Sequence, residues 1–295
     1  MLHEDLRTDF DALLPGNAGA TRRGALKAAL GVGYAAAAGA AMAQTAIKTS
    51  SEGLVTGEFT YEVNGFKVPA FRAQPAGRAN LPVVLVIQEI FGVHEYIADT
   101  ARRFAKAGYL AIAPELYARQ GDPSTYGEMA KLMAEVVSKV PDAQVMADLD
   151  GALKWAGANG GDVHRAAITG FCWGGRITWL YAAHGPVKAG VAWYGRLVGS
   201  ASDLTPRHPL DIAAGLQAPV LGLYGAADSG IPLDTVDKMK AALAAGSPAA
   251  RASQFVVYPD APHAFHADYR PSYRAAPAID GWTRALAWFK ANGVA

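Results

Sequence analysis

The stretch Ala166-Ala167-Ile168-Thr169-Gly170-Phe171-Cys172-Trp173-Gly174-Gly175 sets a short apolar run against a cysteine with glycines on both sides, followed by an apolar segment running to Ala183. The run reads as a buried strand and the segment as a helix, joined by a turn so tight that large side chains beside Cys172 would collide. A turn of that kind holds its central residue exposed at a helix N-terminus, where the helix dipole favours a thiolate. With 32 glycines in 295 residues, the single cysteine would fall in a Gly-x-Cys-x-Gly frame by chance only about 1% of the time. Cys172 is therefore a candidate nucleophile.

Working outward, the pattern on either side alternates strand and helix. Pro82 to Gln88, Leu110 to Pro114, Ala189 to Tyr194, Val220 to Gly225 and Phe255 to Pro259 are brief runs dense in Val, Ile, Leu and Tyr, each ending in or beside Gly or Pro or in a polar residue. They read as strands buried on both faces. Between them lie helical segments from Ile97 to Ala107, Thr125 to Val140, Ala143 to Ala158, Gly174 to Ala183, Leu233 to Ala245 and Ile279 to Ala291, with Asp234 and Asp280 placed near two helix starts. Upstream, residues 57–63 and 66–71 flank Asn64-Gly65, a strong signal for a two-residue hairpin. The expectation is a mostly parallel sheet with right-handed crossovers, helices on both faces and an antiparallel hairpin at its N-terminal edge. No repeat or linker divides it, so residues 56–295 are read as one domain after a short arm over 44–55.

In such a sheet the binding crevice forms at the carboxyl ends of the strands. Past Val220 to Gly225 the sequence continues Ala226-Ala227-Asp228, and past Phe255 to Pro259 it continues Asp260-Ala261-Pro262-His263-Ala264-Phe265. Nucleophile, acid and base thus follow one another in chain order. His263 would take the thiol proton and return it to a leaving group, and Asp228 would fix the imidazole tautomer and stabilise the imidazolium.

These residues resemble the dienelactone hydrolase family, cysteine hydrolases of the α/β-hydrolase fold. The resemblance runs from Gly57 to the C-terminus and rests on Gln88-Glu89-Ile90-Phe91-Gly92-Val93, Pro114-Glu115-Leu116-Tyr117-Ala118-Arg119-Gln120, the cysteine turn, Gly225-Ala226-Ala227-Asp228 and Tyr258 to Phe265. It implies a hydrolase that opens lactones or cleaves small carboxylic esters through a Cys172 acyl-enzyme, without cofactor or metal. It further implies that Glu89 sits near the thiol and takes part in its activation; a nearby anion disfavours thiolate and can hold Cys172 protonated until substrate displaces it. The backbone N–H groups of Ile90 and Trp173 would form the oxyanion hole. Arg119 matches the family arginine that grips a substrate carboxylate with its donor fork. The family's second such arginine is replaced by Ala267 here, with Arg176, Tyr269 and Arg270 as possible substitutes.

Other readings compete for the same residues. His263, His266 and Asp268, or His94 with Glu95, could be metal ligands. A general carboxylesterase or thioesterase of unrelated substrate, and a non-enzymatic exported binding protein on the same fold, are the functional alternatives. A thiol redox protein lacks a resolving cysteine.

The formal charge of +1 provides no general field for nucleic acid or anionic membranes. The first residues differ from the rest: an acidic lead, then Arg22-Arg23, an Ala-rich run and a small-x-small site at Ala41-Met42-Ala43. This resembles a twin-arginine export signal over residues 1–43, cleaved after Ala43, and implies the twin-arginine export machinery as a partner and a periplasmic location. Ala and Gly in its apolar run argue against a permanent membrane span.

Overall fold

The computed structural model describes residues 46–295, so the export signal expected over 1–43 lies outside the described residues. One eight-stranded sheet runs through them: β1 (Leu54–Val63), β2 (Phe66–Pro75), β3 (Leu81–Ile87), β4 (Leu110–Pro114), β5 (Gly161–Phe171), β6 (Ala189–Trp193), β7 (Val220–Gly225) and β8 (Gln254–Tyr258). Their spatial order is β1-β2-β4-β3-β5-β6-β7-β8. β1 pairs antiparallel with β2 and β2 antiparallel with β4, while every pairing from β4 to β8 is parallel. The hairpin turns at Asn64 and Gly65 with both residues at positive φ (50° and 79°), the backbone that matches the strand twist and that Asn-Gly tolerates. Every residue of β3, β4, β6 and β7 is buried, which is why these strands read as unbroken apolar runs.

The helices are α1 (Glu95–Lys106), α2 (Met129–Glu135), α3 (Asp142–Ala158), α4 (Trp173–Ala182), α5 (Pro209–Ile212), α6 (Leu233–Ala244), α7 (Pro248–Ala252) and α8 (Ala275–Ala291). None is long and apolar enough to cross a membrane. The expected helix from Thr125 to Val140 is broken. A 3-10 turn at Pro123–Thr125 gives way to extended backbone at Tyr126 and Glu128, α2 lasts seven residues, and Val136 (φ −119°, ψ −69°) leads into a second 3-10 turn at Val137–Lys139. Gly127 lies inside that extended connection, where its backbone freedom lowers the cost of departing from the helix. α8 begins four residues before Ile279, so Asp280 lies beyond its first turn, bonded to Tyr258 and Arg284. β5 begins earlier than the apolar run at Ala166. Its first residues, including Asp162, His164 and Arg165, carry no apolar signal, and its register against β3 shifts between Pro82 and Val83.

The sheet brings α4 to the centre of the carboxyl edge. A Cβ on Gly174 would lie 2.5 Å from the carbonyl oxygen of Gln88, and one on Gly175 would lie 2.5 Å from that of Trp193 and 2.8 Å from Cα of Gly195. The helix can therefore seat its first turn on the ends of β3 and β6 only with hydrogen at both positions. Backbone neighbours cannot rotate away, so Gly175→Ala is expected to cost about 3 kcal/mol. Gly215→Ala, whose Cβ meets nothing within 4 Å, should leave Tm nearly unchanged. Thermal unfolding of the two variants against the parent checks this contrast; equal Tm values would show that the close approach is not required.

Candidate active site

Cys172 occupies the turn between β5 and α4 with φ 56° and ψ −113°, a backbone conformation that costs a non-glycine residue on the order of 1–3 kcal/mol. Neighbouring hydrogen bonds hold it there. Its N–H donates to the Trp193 carbonyl at 3.0 Å, and its own carbonyl accepts from the N–H groups of Gly175 (3.0 Å) and Arg176 (3.2 Å).

Asp228 follows β7 by three residues and is buried. Its Oδ1 accepts from the Gly230 N–H at 3.0 Å, which leaves Oδ2 to accept from Nδ1 of His263 at 2.7 Å. This bond fixes the proton of a neutral imidazole on Nδ1 and turns Nε2 toward the cavity as the basic atom. Nε2 makes no hydrogen bond of ordinary geometry, but the Cys172 sulfur acts on it electrostatically. Burial alone would lower the His263 pKa; the charges of Cys172 and Asp228, with the Asp228 hydrogen bond, outweigh burial and raise it well above 6.5. The ring of Tyr194, itself at φ 39° just past β6, packs edge-on against His263 with centroids 5.2 Å apart.

Cys172 and His263 line one cavity of about 270 Å³, near the lower end of small-molecule sites. Ile90 and Trp173 line it too. Trp173 is the first residue of α4, so its N–H is among the donors that a helix leaves without an internal partner. Thus Ile90 and Trp173, expected to supply the oxyanion donors, border the same space as Cys172 and His263. The apolar wall includes Met133 and Val137, from the two sides of the break after α2, and Ile231.

Glu89 is 2% exposed, and its Oε2 accepts from the Tyr269 hydroxyl at 2.8 Å, with His94 Nε2 at 3.4 Å and Arg270 at 3.6 Å. Burial would raise its pKa. The Arg270 guanidinium, His94 and the Tyr269 hydroxyl prevail and hold it at about 2, so Glu89 is a carboxylate at any ordinary pH. Its hydrogen bonds run to Tyr269 and not to the thiol.

Arg119 is not brought to the cavity. Its two terminal nitrogens grip both oxygens of Asp148 at 2.5 and 2.9 Å, and its guanidinium stacks 4.3 Å from the centre of the Phe66 ring. The fork expected to hold a substrate carboxylate holds one from α3 instead. The proposed substitutes are engaged as well: Arg176 lies along the cavity but grips both oxygens of Asp142 at 2.7 Å, and Arg270 lies beside Glu89 and over the rings of Phe91 and Tyr269.

The alternative metal grouping is dispersed. His263 bonds Asp228, Nδ1 of His266 lies 2.6 Å from the Tyr96 hydroxyl, and Asp268 pairs with Arg103. Burial, with Arg103 adding to it, holds the His266 pKa well below 6.5, so this imidazole is neutral. Among the described residues no three His, Cys, Asp or Glu side chains are grouped to hold a metal ion.

Sequence reasoning missed the cavity residues Met133, Val137 and Arg196. Arg196 stands two residues past Tyr194 at the end of β6. The rule that strand ends carry chemistry, which located Asp228 and His263, would have found it.

The dienelactone hydrolase family model matches residues 68–293. A protein of Methylorubrum extorquens named "Putative carboxymethylenebutenolidase" is 58% identical over 293 residues, covering 98% of this chain and 100% of that one. One of the same name from Escherichia coli is 55% identical over 263 residues, 88% of this chain and 96% of its own. A crystal structure described as a putative dienelactone hydrolase from Klebsiella pneumoniae superposes with a TM-score of 0.78 at 58% identity, covering 80% of this chain and 98% of that chain.

Arg119→Ala leaves Asp148, whose side chain is wholly buried, without its cation, at an expected cost of about 2–3 kcal/mol. Burial already raises the Asp148 pKa against the pull of Arg119. Removing Arg119 raises it further, and an acid whose folded pKa exceeds its unfolded one loses stability as pH rises through that interval. The Tm deficit of Arg119→Ala should therefore be full at pH 8 and shrink toward pH 4. A deficit that does not change with pH would show that Asp148 is not its source.

Proposed function

Because the chain belongs to the dienelactone hydrolase family, we propose that it opens lactones or cleaves small carboxylic esters through a covalent acyl-enzyme on Cys172. That it is a hydrolase follows from the family and from relatives that match it over nearly their full length. The observation that carries the cysteine mechanism is the 2.7 Å bond between His263 and Asp228 beside a thiol held at positive φ.

In this reading Nε2 of His263 takes the proton from Sγ of Cys172, and the thiolate attacks the carbonyl carbon. The carbonyl π pair moves onto oxygen, which receives hydrogen bonds from the N–H groups of Ile90 and Trp173. Collapse re-forms the carbonyl and breaks the C–O bond, while the imidazolium returns its proton to the leaving alkoxide. In a lactone that alcohol stays tethered to the acyl group. Water then gives a proton to His263 and attacks the thioester, the thiolate leaves, and Cys172 is reprotonated as the acid departs. Glu89 acts in this scheme as a fixed anion: ionised whatever the working pH, it disfavours thiolate in the empty site through its field, without a hydrogen bond to sulfur.

For localisation, Arg22-Arg23 before the Ala-rich run supports export of the folded enzyme by the twin-arginine route. Fractionation of cells producing the parent and an Arg22→Lys, Arg23→Lys variant tests it: the variant should stay in the cytoplasm, and equal periplasmic recovery would end the reading.

Cys172→Ala should abolish ester hydrolysis, a fall on the order of 10⁴-fold or more, with the parent Tm retained because alanine keeps the turn and relieves little of its strain. Rapid quenching and mass spectrometry of the parent should find an acyl adduct on the Cys172 peptide. Retained turnover in the alanine variant would eliminate the covalent route. The raised His263 pKa sets the pH profile: the imidazolium supplies the leaving-group proton, so activity should persist above the ordinary histidine range before its alkaline limb. Asp228→Asn should lower that limb and reduce kcat on the order of 10²- to 10⁴-fold. An unmoved limb would mean that Asp228 does not govern the imidazole.

A further inference from the structure

We propose that the ion pair between Arg176 and Asp142 is the wall that limits the acyl chain: it ends the thiol cavity one helical turn from Cys172 and makes the enzyme selective for short-chain esters and small lactones. The inference rests on the hydrolase reading of the same cavity and names what sets the length of its substrate.

A second cavity, of about 380 Å³, adjoins the first across this pair. Three placements put the two spaces back to back. Along α4, Arg176 lines the thiol cavity, and Leu180, four residues on and so on the same face, lines the second. Along residues 205–208, Thr205 and His208 line the first while Pro206 and Arg207 line the second. Across the pair itself, Arg176 borders the first and Asp142 the second.

The partition is tied from several sides. The Arg176 fork takes both Asp142 oxygens at 2.7 Å, its Nη2 also donates to the Arg207 carbonyl at 2.8 Å, and its Nε lies 3.3 Å from Nδ1 of His208. The Asp142 N–H donates in turn to the Leu204 carbonyl at 2.8 Å. The side chains of Arg176 and Asp142 are only 7% and 13% exposed. Such a pair does not yield to an alkyl chain, because parting it would leave two desolvated charges with hydrocarbon between them.

Arg176 stands on the turn of α4 next to the nucleophile, about 5.4 Å further along the axis, and its N–H donates to the Cys172 carbonyl. An acyl group on Sγ that runs along the helix therefore meets the wall after a few carbons. Beyond it Met146, Leu180, Ala183 and Ile212 offer apolar surface that a longer chain would cover if the wall were gone.

The test compares 4-nitrophenyl butanoate with 4-nitrophenyl octanoate. The parent should favour the butanoate. Arg176→Ala with Asp142→Ala, which removes both charges together and strands neither, should raise the ratio of kcat/KM for octanoate over butanoate about 10- to 100-fold, chiefly through KM for octanoate. Adding Ala183→Phe, which places a ring in the second cavity, should cancel that gain, while Ala183→Phe in the parent should leave both esters as they were. Calorimetric binding of the two esters to Cys172→Ala protein, with and without the paired alanines, reads the wall without turnover.

A parent that turns over octanoate as readily as butanoate, a ratio unmoved by the paired alanines, or a gain that Ala183→Phe does not cancel would overturn the proposal while leaving the hydrolase standing. Octanoate binding that appears only with the paired alanines, in a protein that hydrolyses neither ester, would support the wall and overturn the hydrolase reading instead.

Discussion

The strained turn at Cys172 constrains the rest of this molecule. A side chain held at φ 56° persists only where its surroundings over-determine it, and here they are nearly all backbone. A Cβ on Gly170 would stand 2.2 Å from the carbonyl oxygen of Gly174, and one on Gly195 would stand 2.3 Å from the carbonyl carbon of Gly175. The turn thus needs contact between β5, α4 and the end of β6 at a distance that only glycine allows. The same economy recurs beyond β7, where a Cβ on Gly225 would lie 1.9 Å from the carbonyl oxygen of Ala261. That contact joins the segment bearing Asp228 to the segment bearing His263, so the spacing of acid and base is set by backbone packing before their side chains meet.

Behind the histidine lies a second constraint, made of buried charge. His266, Asp268, Tyr269 and Arg270 are each about 95% buried or more, although they belong to a loop. They bond outward to Tyr96, Arg103 and Glu89, and Asp99 links Arg103 onward to Thr49 of the N-terminal arm. Burying such groups is costly and rarely stabilises as much as apolar packing would. What a connected network supplies is definition, since each member has few alternatives once its partners are placed. His263 heads this loop, with Ala264 at φ 58° directly after it. In the proposed acyl-enzyme route the imidazole would move protons between sulfur, alcohol and water without shifting, which a base with so little freedom favours.

How much of this was legible in the sequence divides along range. The Asn64-Gly65 hairpin, the buried strands and the cysteine turn are local: turn chemistry and apolar runs write them into a few adjacent residues. The places of Asp228 and His263 followed from one topological rule about strand ends. Arg119 shows the limit. The resemblance implies a fork free for a substrate carboxylate, but the carboxylate that fills it comes from Asp148, 29 residues on in α3. Glu89 is a milder case: the resemblance marked it as a functional carboxylate, while the partner that its hydrogen bond takes, Tyr269, stands 180 residues away. The helix expected from Thr125 failed for the opposite reason. Its apolar periodicity is real, but those residues wall a cavity around a break at Val136, and tertiary contact overrode a weak local preference.

The arginines show how burial distributes charge in this fold. Arg119, Arg176 and Arg270 are all partly or largely removed from water, and each has a carboxylate beside it: Asp148, Asp142 and Glu89. This is the expected outcome, because a guanidinium withdrawn from solvent without an anion carries a desolvation penalty that the fold would have to absorb. An unpaired guanidinium can persist only where water still reaches it, which confines it to the mouth of the cavity, where Arg196 stands.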